Sequence, residues 1–512
     1  MPPKKANKKA GPYHATDKRA AIKKDANKSA LRSSKAGAKK KKAGGRKSKS
    51  VAKAALPAVL LVNMIPRSLS GESNQDSEPS IAVNPANPMQ IAASAFTPDP
   101  LKGSFAPIYI SNDGGKTWTL NSIVPGNNSL TGTGDITLNF SKTTNTLFAG
   151  ILRGDSRTLR LNILRTKNFA DANPMEILVD RTNVDQPYVQ VATVAGGADK
   201  GKDRVYVGNN DLSVNGGSAT IDQSLNGTGA NPNFKSIRIE SRTTPGQDGP
   251  PVRPSIHPDG TAYAIYHSWR SFNDQTGEGT ADIVVLRDDS GGAGPKPFTD
   301  LVDPMDGKAG VRVAQNTKFN FNGVLGQQRT GGDVALVVDP TKSDIVYAAY
   351  NDDHGSLYML HLLRSKDRGR TWSPELRTIR NALNPGLAIN NAGKVAFLYQ
   401  QLTGSGASQR WVTKVELSTN GTNWNALTLA SVPADAPTAE FDPYLGDYAR
   451  LMSVGKDFYG IFSANNTPKK ANFPNGVVYQ RNANWTTNTL FNVDNTKPVR
   501  VSIDPFFLKV TG

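Results

Sequence analysis

Ser111-Asn112-Asp113-Gly114-Gly115-Lys116-Thr117-Trp118 decides the reading of this chain. It recurs as Ser365-Lys366-Asp367-Arg368-Gly369-Arg370-Thr371-Trp372 and, softened, as Ser418-Thr419-Asn420-Gly421-Thr422-Asn423-Trp424. Each copy follows an apolar run (Pro107 to Ile110, Tyr358 to Leu360, Val415 to Leu417) and precedes another strand-like run. That context predicts a β-hairpin turn. The Asp or Asn side chain bonds back to the turn's own N–H groups, and Gly supplies positive φ. The Trp then packs between neighbouring sheets. Asp113 and Asp367 therefore read as structural residues.

Working outward, the body divides into seven similar units. They open at Glu78, Asp135, Gln186, Arg253, Asp333, Asn384 and Asp447. The third residue after each opening is Ile81, Leu138, Val189, Ile256, Leu336 and Leu387, with Arg450 the exception. This is strand periodicity. A turn and a second strand follow each time, then a longer loop, a third strand and a hairpin turn. Degenerate turns are expected at Arg165–Phe169, Ser224–Gly227, Arg287–Gly291 and Gln480–Trp485. Near-constant spacing with four strands per unit predicts an all-β fold, a single seven-bladed β-propeller of four-stranded blades. A solenoid, the alternative, would need no closing segment. Val499 to Leu508 reads as an additional closing or covering strand.

The turn copies resemble the Asp-box, or BNR repeat, of sialidases and other β-propellers. The pattern S-x-D-x-G-x-T-W is matched in full twice, with one residue of freedom around the glycines. The resemblance implies a glycan-recognising propeller and, in its catalytic form, an exo-glycosidase of sialidase type. Such enzymes use an Arg triad, a Tyr nucleophile assisted by Glu, and an Asp acid. Carried onto this chain, the triad is Arg153, Arg253 and Arg270. Tyr444 with Glu440 is the nucleophile pair, and Asp76 or Asp135 the acid. The family's Arg-Ile-Pro has no counterpart in that order; the nearest stretch is Met64-Ile65-Pro66-Arg67.

In a propeller the unit openings surround the channel mouth, with the loop after each second strand outside them. Here that face collects Asp135, Arg253, Asp333 and Asp447, with Arg153, Trp269 and Arg270 in the outer ring. Carboxylates, arginines and an exposed Trp269 suit a sugar, which has many hydroxyls and one apolar face. Each Asp or Asn can equally cap its own strand. Carboxylates around an axis could also hold Ca²⁺. No spacing amounts to a calcium motif, so no metal or other cofactor is expected.

The chain has 512 residues, 47 Gly, 33 Pro and no cysteine. Disulfides, thiolate catalysis and Cys-held metals are excluded. The net charge is +18. Residues 1–53 carry 16 Lys and 3 Arg against Asp17 and Asp25, so the body is near neutral. This tail, densest at Lys39, Lys40, Lys41, Lys42, Arg46 and Lys47, has too little apolar surface to order itself. It reads either as a dock for nucleic acid or another polyanion, or as a solubilising leader. Residues 54–77 form a lead-in and 78–512 the propeller. Ala54 to Ile65 is too short to span a bilayer as a helix. It reads as a strand, Val59 to Ile65, closing the ring, in preference to a signal-peptide core behind so long a basic leader. Without a clear signal peptide, only the glycan reading favours a secreted or cell-surface location. Three functions stay open: a glycan-recognising propeller, an active exo-glycosidase, and a protein-interaction scaffold docked through its tail.

Overall fold

The computed structural model describes residues 57–98, 101, 105–125, 132–154, 159–214, 216–355 and 357–512. The tail lysines and arginines lie outside them. Pro57–Gly512 is one compact unit. It is all-β, and its described residues form seven sheets of four or five strands, antiparallel but for the Val59–Asn63 and Val478–Tyr479 pair, and one small three-stranded sheet.

Sheet one begins with Ser80–Val83, sheet two with Ile136–Phe140, sheet three with Val184–Thr193 and sheet four with Arg253–Ile256. Sheets five to seven begin with Val334–Asp339, Ala382–Ile389 and Arg450–Val454. In sheets one to six the strands run in chain order. Short apolar runs separated by turn residues leave each strand its chain neighbour as the nearest partner.

The core is divided between the sheets. Ile108 and Ile123 of sheet one pack with Leu138 and Phe140 of sheet two. The same holds from each sheet to the next, ending with Leu398 and Val415 of sheet six against Phe458 and Phe506 of sheet seven. A further cluster joins Tyr459 and Phe507 of sheet seven to Ile81, Tyr109 and Trp118 of sheet one. Each sheet is apolar on both faces, and a neighbour on each side satisfies both.

The three turns are closed by their own side chains. The Asp113 carboxylate accepts from the N–H groups of Lys116 and Thr117 at 3.0 Å each, and from the hydroxyls of Ser111 and Thr117. Although burial pushes Asp113 up, these bonds outweigh it and hold its pKa below the usual carboxylate range. Asp367 repeats the pattern with Ser365 and Thr371, and Asn420 with Thr422 and Asn423. Gly115 has φ +87°, and a Cβ there would meet the Phe507 ring at 2.2 Å. Trp118 is buried beside that ring, 5.4 Å between centroids, and its indole N–H donates to Gly115 O.

Sheet seven departs from the expected order. Its strands run Arg450–Val454, Asp457–Asn465, Ile503–Val510, Val59–Asn63 and Val478–Tyr479. Ile503–Val510 therefore takes the third place, and Gln480–Trp485 is not the turn of a third-to-fourth hairpin. The physical reason is burial. Ile503, Phe506, Phe507 and Leu508 are fully enclosed, whereas the Val478–Tyr479 run is short and partly exposed. The amino-terminal strand Val59–Asn63 joins the carboxy-terminal strand antiparallel, Val62 opposite Phe507.

Candidate functional site

The unit openings are conformationally unusual. Glu78, Gln186 and Asn384 have φ of 53°, 57° and 56°, each immediately before a proline. The strands of Gln186 and Asn384 shift register there. A left-handed residue at a bulge is a strained feature that re-aims a side chain. At two other units a positive-φ glycine, Gly332 or Gly446, precedes Asp333 or Asp447.

These openings form a buried network of carboxylates, arginines and tyrosines. Arg253 donates to Asp333 Oδ1 at 2.9 Å and to Val334 O at 3.2 Å. Its guanidinium lies over the rings of Tyr188 and Tyr448, 4.3 and 5.2 Å from their centroids. Arg450 also lies over Tyr188 and donates to Val189 O and Ser80 Oγ, tying sheets seven, three and one together. Arg329 holds Asp447 through two bonds. The Tyr448 hydroxyl donates to Asp135 Oδ1 at 3.1 Å.

Burial shifts several of these groups from their usual pKa values. Burial, then the neighbouring Asp135, push Glu78 well above the carboxylate range. Burial and Asp248 do the same to Asp185. Asp333 is pushed up by burial to about 6, with Arg253 pulling it down. Arg329, Thr330, Gly331, Gly332, Asp333, Asn351, Tyr358, Leu383, Asn384 and Asp447 line a small hollow that opens to solvent. Two acceptors on its wall, Asp333 Oδ2 and Asn351 Oδ1, are buried without a donor. Nearby openings add two more such acceptors, Glu78 Oε2 and Gln186 Oε1, and a donor without an acceptor, Arg253 Nη1. An unsatisfied buried polar atom is costly unless something completes it.

The sequence-derived residues distribute unevenly. Asp135, Arg253, Asp333 and Asp447 all belong to this network. Arg153 and Arg270 do not join Arg253. Arg270 pairs with Glu240 and Asp282 and donates to Thr243 O. Arg153 feels Asp180 and Arg160, and burial lowers its pKa. The arginines that share the network with Arg253 are Arg329 and Arg450. Trp269 is not an exposed stacking platform. Only 3% of it is exposed; it packs on Phe272, Phe319 and Phe321, and its N–H donates to Gly249 O. Tyr444 and Glu440 do not pair. Tyr444 is buried with its hydroxyl on Ala436 O, and Glu440 is paired with Arg500. The tyrosine facing a carboxylate in the network is Tyr448, whose hydroxyl donates to Asp135.

Asp76 belongs to a different cluster, with Glu72, Asp504 and Arg481. It joins the lead-in to sheet seven through Asp76 N to Ile503 O at 2.8 Å. Oxygens of Glu72, Asp76 and Asp504 lie within 4.8 Å of one another, an oxygen-only set of the kind Ca²⁺ takes. Arg481 already supplies positive charge there by pairing with Asp504. No helix among the described residues is long and apolar enough to cross a membrane.

The architecture defines an all-β protein of consecutive, mainly antiparallel sheets. No protein-family model and no curated protein matches the sequence. Solved structures similar to the chain include an α-L-arabinofuranosidase of Fusarium graminearum, at 10% identity over 88% of this chain and 97% of that one, TM-score 0.41. An α-L-arabinanase of Penicillium chrysogenum has 12% identity, coverage of 88% and 98%, and TM-score 0.39. Sqt1 of Chaetomium thermophilum, solved with the N-terminus of ribosomal protein L10, has 11% identity, coverage of 86% and 100%, and TM-score 0.39.

Proposed function

We propose that this chain is a glycan-recognising, seven-bladed propeller of the Asp-box type, with its ligand site at the hollow beside Arg329, Asp333, Asn351, Asn384 and Asp447. The blade reading is supported by seven sheets whose core clusters run from each to the next and from the seventh to the first. The observation that carries the function is the pair of buried acceptors on the wall of the hollow, Asp333 Oδ2 and Asn351 Oδ1. A sugar hydroxyl is a donor and an acceptor at once, so it can complete a carboxylate or amide oxygen while accepting from an arginine. Binding of the full chain on a glycan array, followed by calorimetry with the best sugar, tests this. Asn351→Ala is expected to weaken binding roughly tenfold or more, one to two hydrogen bonds' worth. Its unfolding is measured in parallel, because the Asn351 amide also donates to Ala382 O. No glycan retained, or equal affinity in the variant, overturns the reading.

Exo-glycosidase activity is the second reading. It is favoured by Glu78, whose pKa burial and the neighbouring Asp135 push well above the carboxylate range, since a proton-holding carboxyl next to a second carboxyl group is the equipment of glycoside cleavage. Glu78→Gln would then abolish turnover of a fluorogenic sialoside without abolishing binding. The wild-type chain leaving such substrates intact would remove this reading and leave recognition.

A further inference from the structure

Away from the hollow's wall, sheet five brings two of the chain's five histidines together. Asp352 lies at the end of strand Lys342–Asp353, His354 follows it, and His361 sits in the next strand, Tyr358–Ser365. One ligand-capable atom from each lies within 4.8 Å of the other two. Asp352 Oδ2 and His354 Nε2 are 3.1 Å apart.

His361 is the informative member. It is buried, stacked on Tyr350 with 4.8 Å between ring centroids. Its Nδ1 lies 2.8 Å from Glu375 Oε1. Both ring nitrogens are buried; Nε2 has no partner, and Nδ1 has only the nearby Glu375 carboxylate, out of line for a good hydrogen bond. A carboxylate beside one ring nitrogen draws the proton there and leaves the other lone pair bare. Metal-bound histidines are commonly oriented by such a carboxylate. Asp352 is oriented from behind as well, since its Oδ1 accepts from Lys318 N at 2.8 Å.

We propose that Asp352, His354 and His361 form a site for one divalent transition-metal ion of the zinc class, with Glu375 orienting His361 and one coordination position left open. Two imidazoles and a carboxylate are borderline ligands that suit zinc, and three protein ligands leave a fourth position for water or a substrate atom. Zinc–ligand bonds of roughly 2.0–2.2 Å require the three atoms to draw somewhat closer. His354 is exposed in the loop between the two strands and is free to make that movement.

The full-length protein, stripped with chelator and dialysed, is titrated with zinc chloride by calorimetry. Retained zinc is counted by atomic emission, and the visible spectrum is read with Co²⁺ in its place. One metal per chain is expected, with ligand-field bands of a low-coordinate site. His354→Ala and Asp352→Asn should remove the stoichiometric metal. Glu375→Gln should weaken it roughly 10- to 100-fold as a supporting carboxylate does. His354 is largely exposed, so its variant should unfold like the wild type. His14→Ala and His257→Ala should leave the stoichiometry at one. Fewer than one zinc per chain in the wild type, or an unchanged site in a folded His354→Ala protein, overturns the proposal.

Discussion

Glu72 shows how a single side chain couples this fold to pH. Burial and the charge of Asp504 push its pKa up to about 7, against the pull of Arg481. An acid whose folded-state pKa is raised binds its proton more tightly when folded. Its contribution to stability is fully present below the unfolded value, near 4.5, and is lost as pH rises through about 7. Chemical unfolding of wild type and Glu72→Gln should therefore diverge with pH. The wild type should lose up to about 3 kcal/mol between pH 4.5 and 7.5 that the variant keeps. Parallel pH profiles for the two would show that Glu72 does not titrate in this window. Residues at the unit openings were legible because position alone carried them. Asp135, Arg253, Asp333 and Asp447 each begin a repeat, and each reaches the network. Trp269 and Tyr444 were not legible, because a repeat pattern does not say that the second strand runs on past Trp269 or which residues beyond it fold back into a core. Arg329 was missed for a different reason. It lies on Gln328–Thr330, an extra fifth strand of sheet four that belongs to no repeat. Its one signal is that it stands just ahead of Gly331-Gly332-Asp333.

The hairpin turn is the element on which sequence and structure meet most directly. Its local bonds were predictable because Ser, Asp, Gly and Thr at those offsets can reach only their own turn. The packing beneath was less so. Trp118 is buried against Phe507, whereas Trp372 is only partly buried and its N–H finds no acceptor. The two tryptophans should therefore not be equivalent. Trp118→Ala should cost roughly 3–5 kcal/mol, as for other large buried aromatics, and Trp372→Ala clearly less. Asp113→Ala should fall in the range of roughly 1–3 kcal/mol, because donors rather than ring area are left unmatched. Denaturant midpoints on one instrument rank the three. Equal losses at Trp118 and Trp372 would mean that the seam between sheets seven and one is no tighter than the seam under Trp372. The last sheet was the element least legible in sequence. Its order depends on which distant strands bury most, and a local pattern cannot report that competition between Ile503–Val510 and Val478–Tyr479.

For the molecule as a whole, the amino-terminal end of the chain makes a prediction by truncation. Nearly all of the net charge lies in residues 1–53, while the body, Pro57–Gly512, is one compact unit. Deleting 1–53 should leave thermal unfolding unchanged. It should abolish retention on heparin at low salt, because such binding comes from lysine and arginine displacing counterions and fades steeply as salt rises. Twelve further residues change the result. Deleting 1–65 removes Val62, Met64 and Ile65, all buried between sheets seven and one. It also strips Ile503–Val510 of its antiparallel partner Val59–Asn63 and leaves an open strand edge. Burial of each such side chain stabilises by about 1.5–3 kcal/mol, so their joint loss rivals the whole stability of an ordinary domain. The shorter truncation should therefore melt with the full chain, and the longer one should unfold at far lower temperature or aggregate. A lowered Tm after deleting 1–53 alone would make the tail part of the fold. An unchanged Tm after deleting 1–65 would mean that sheet seven holds sheet one without the amino-terminal strand.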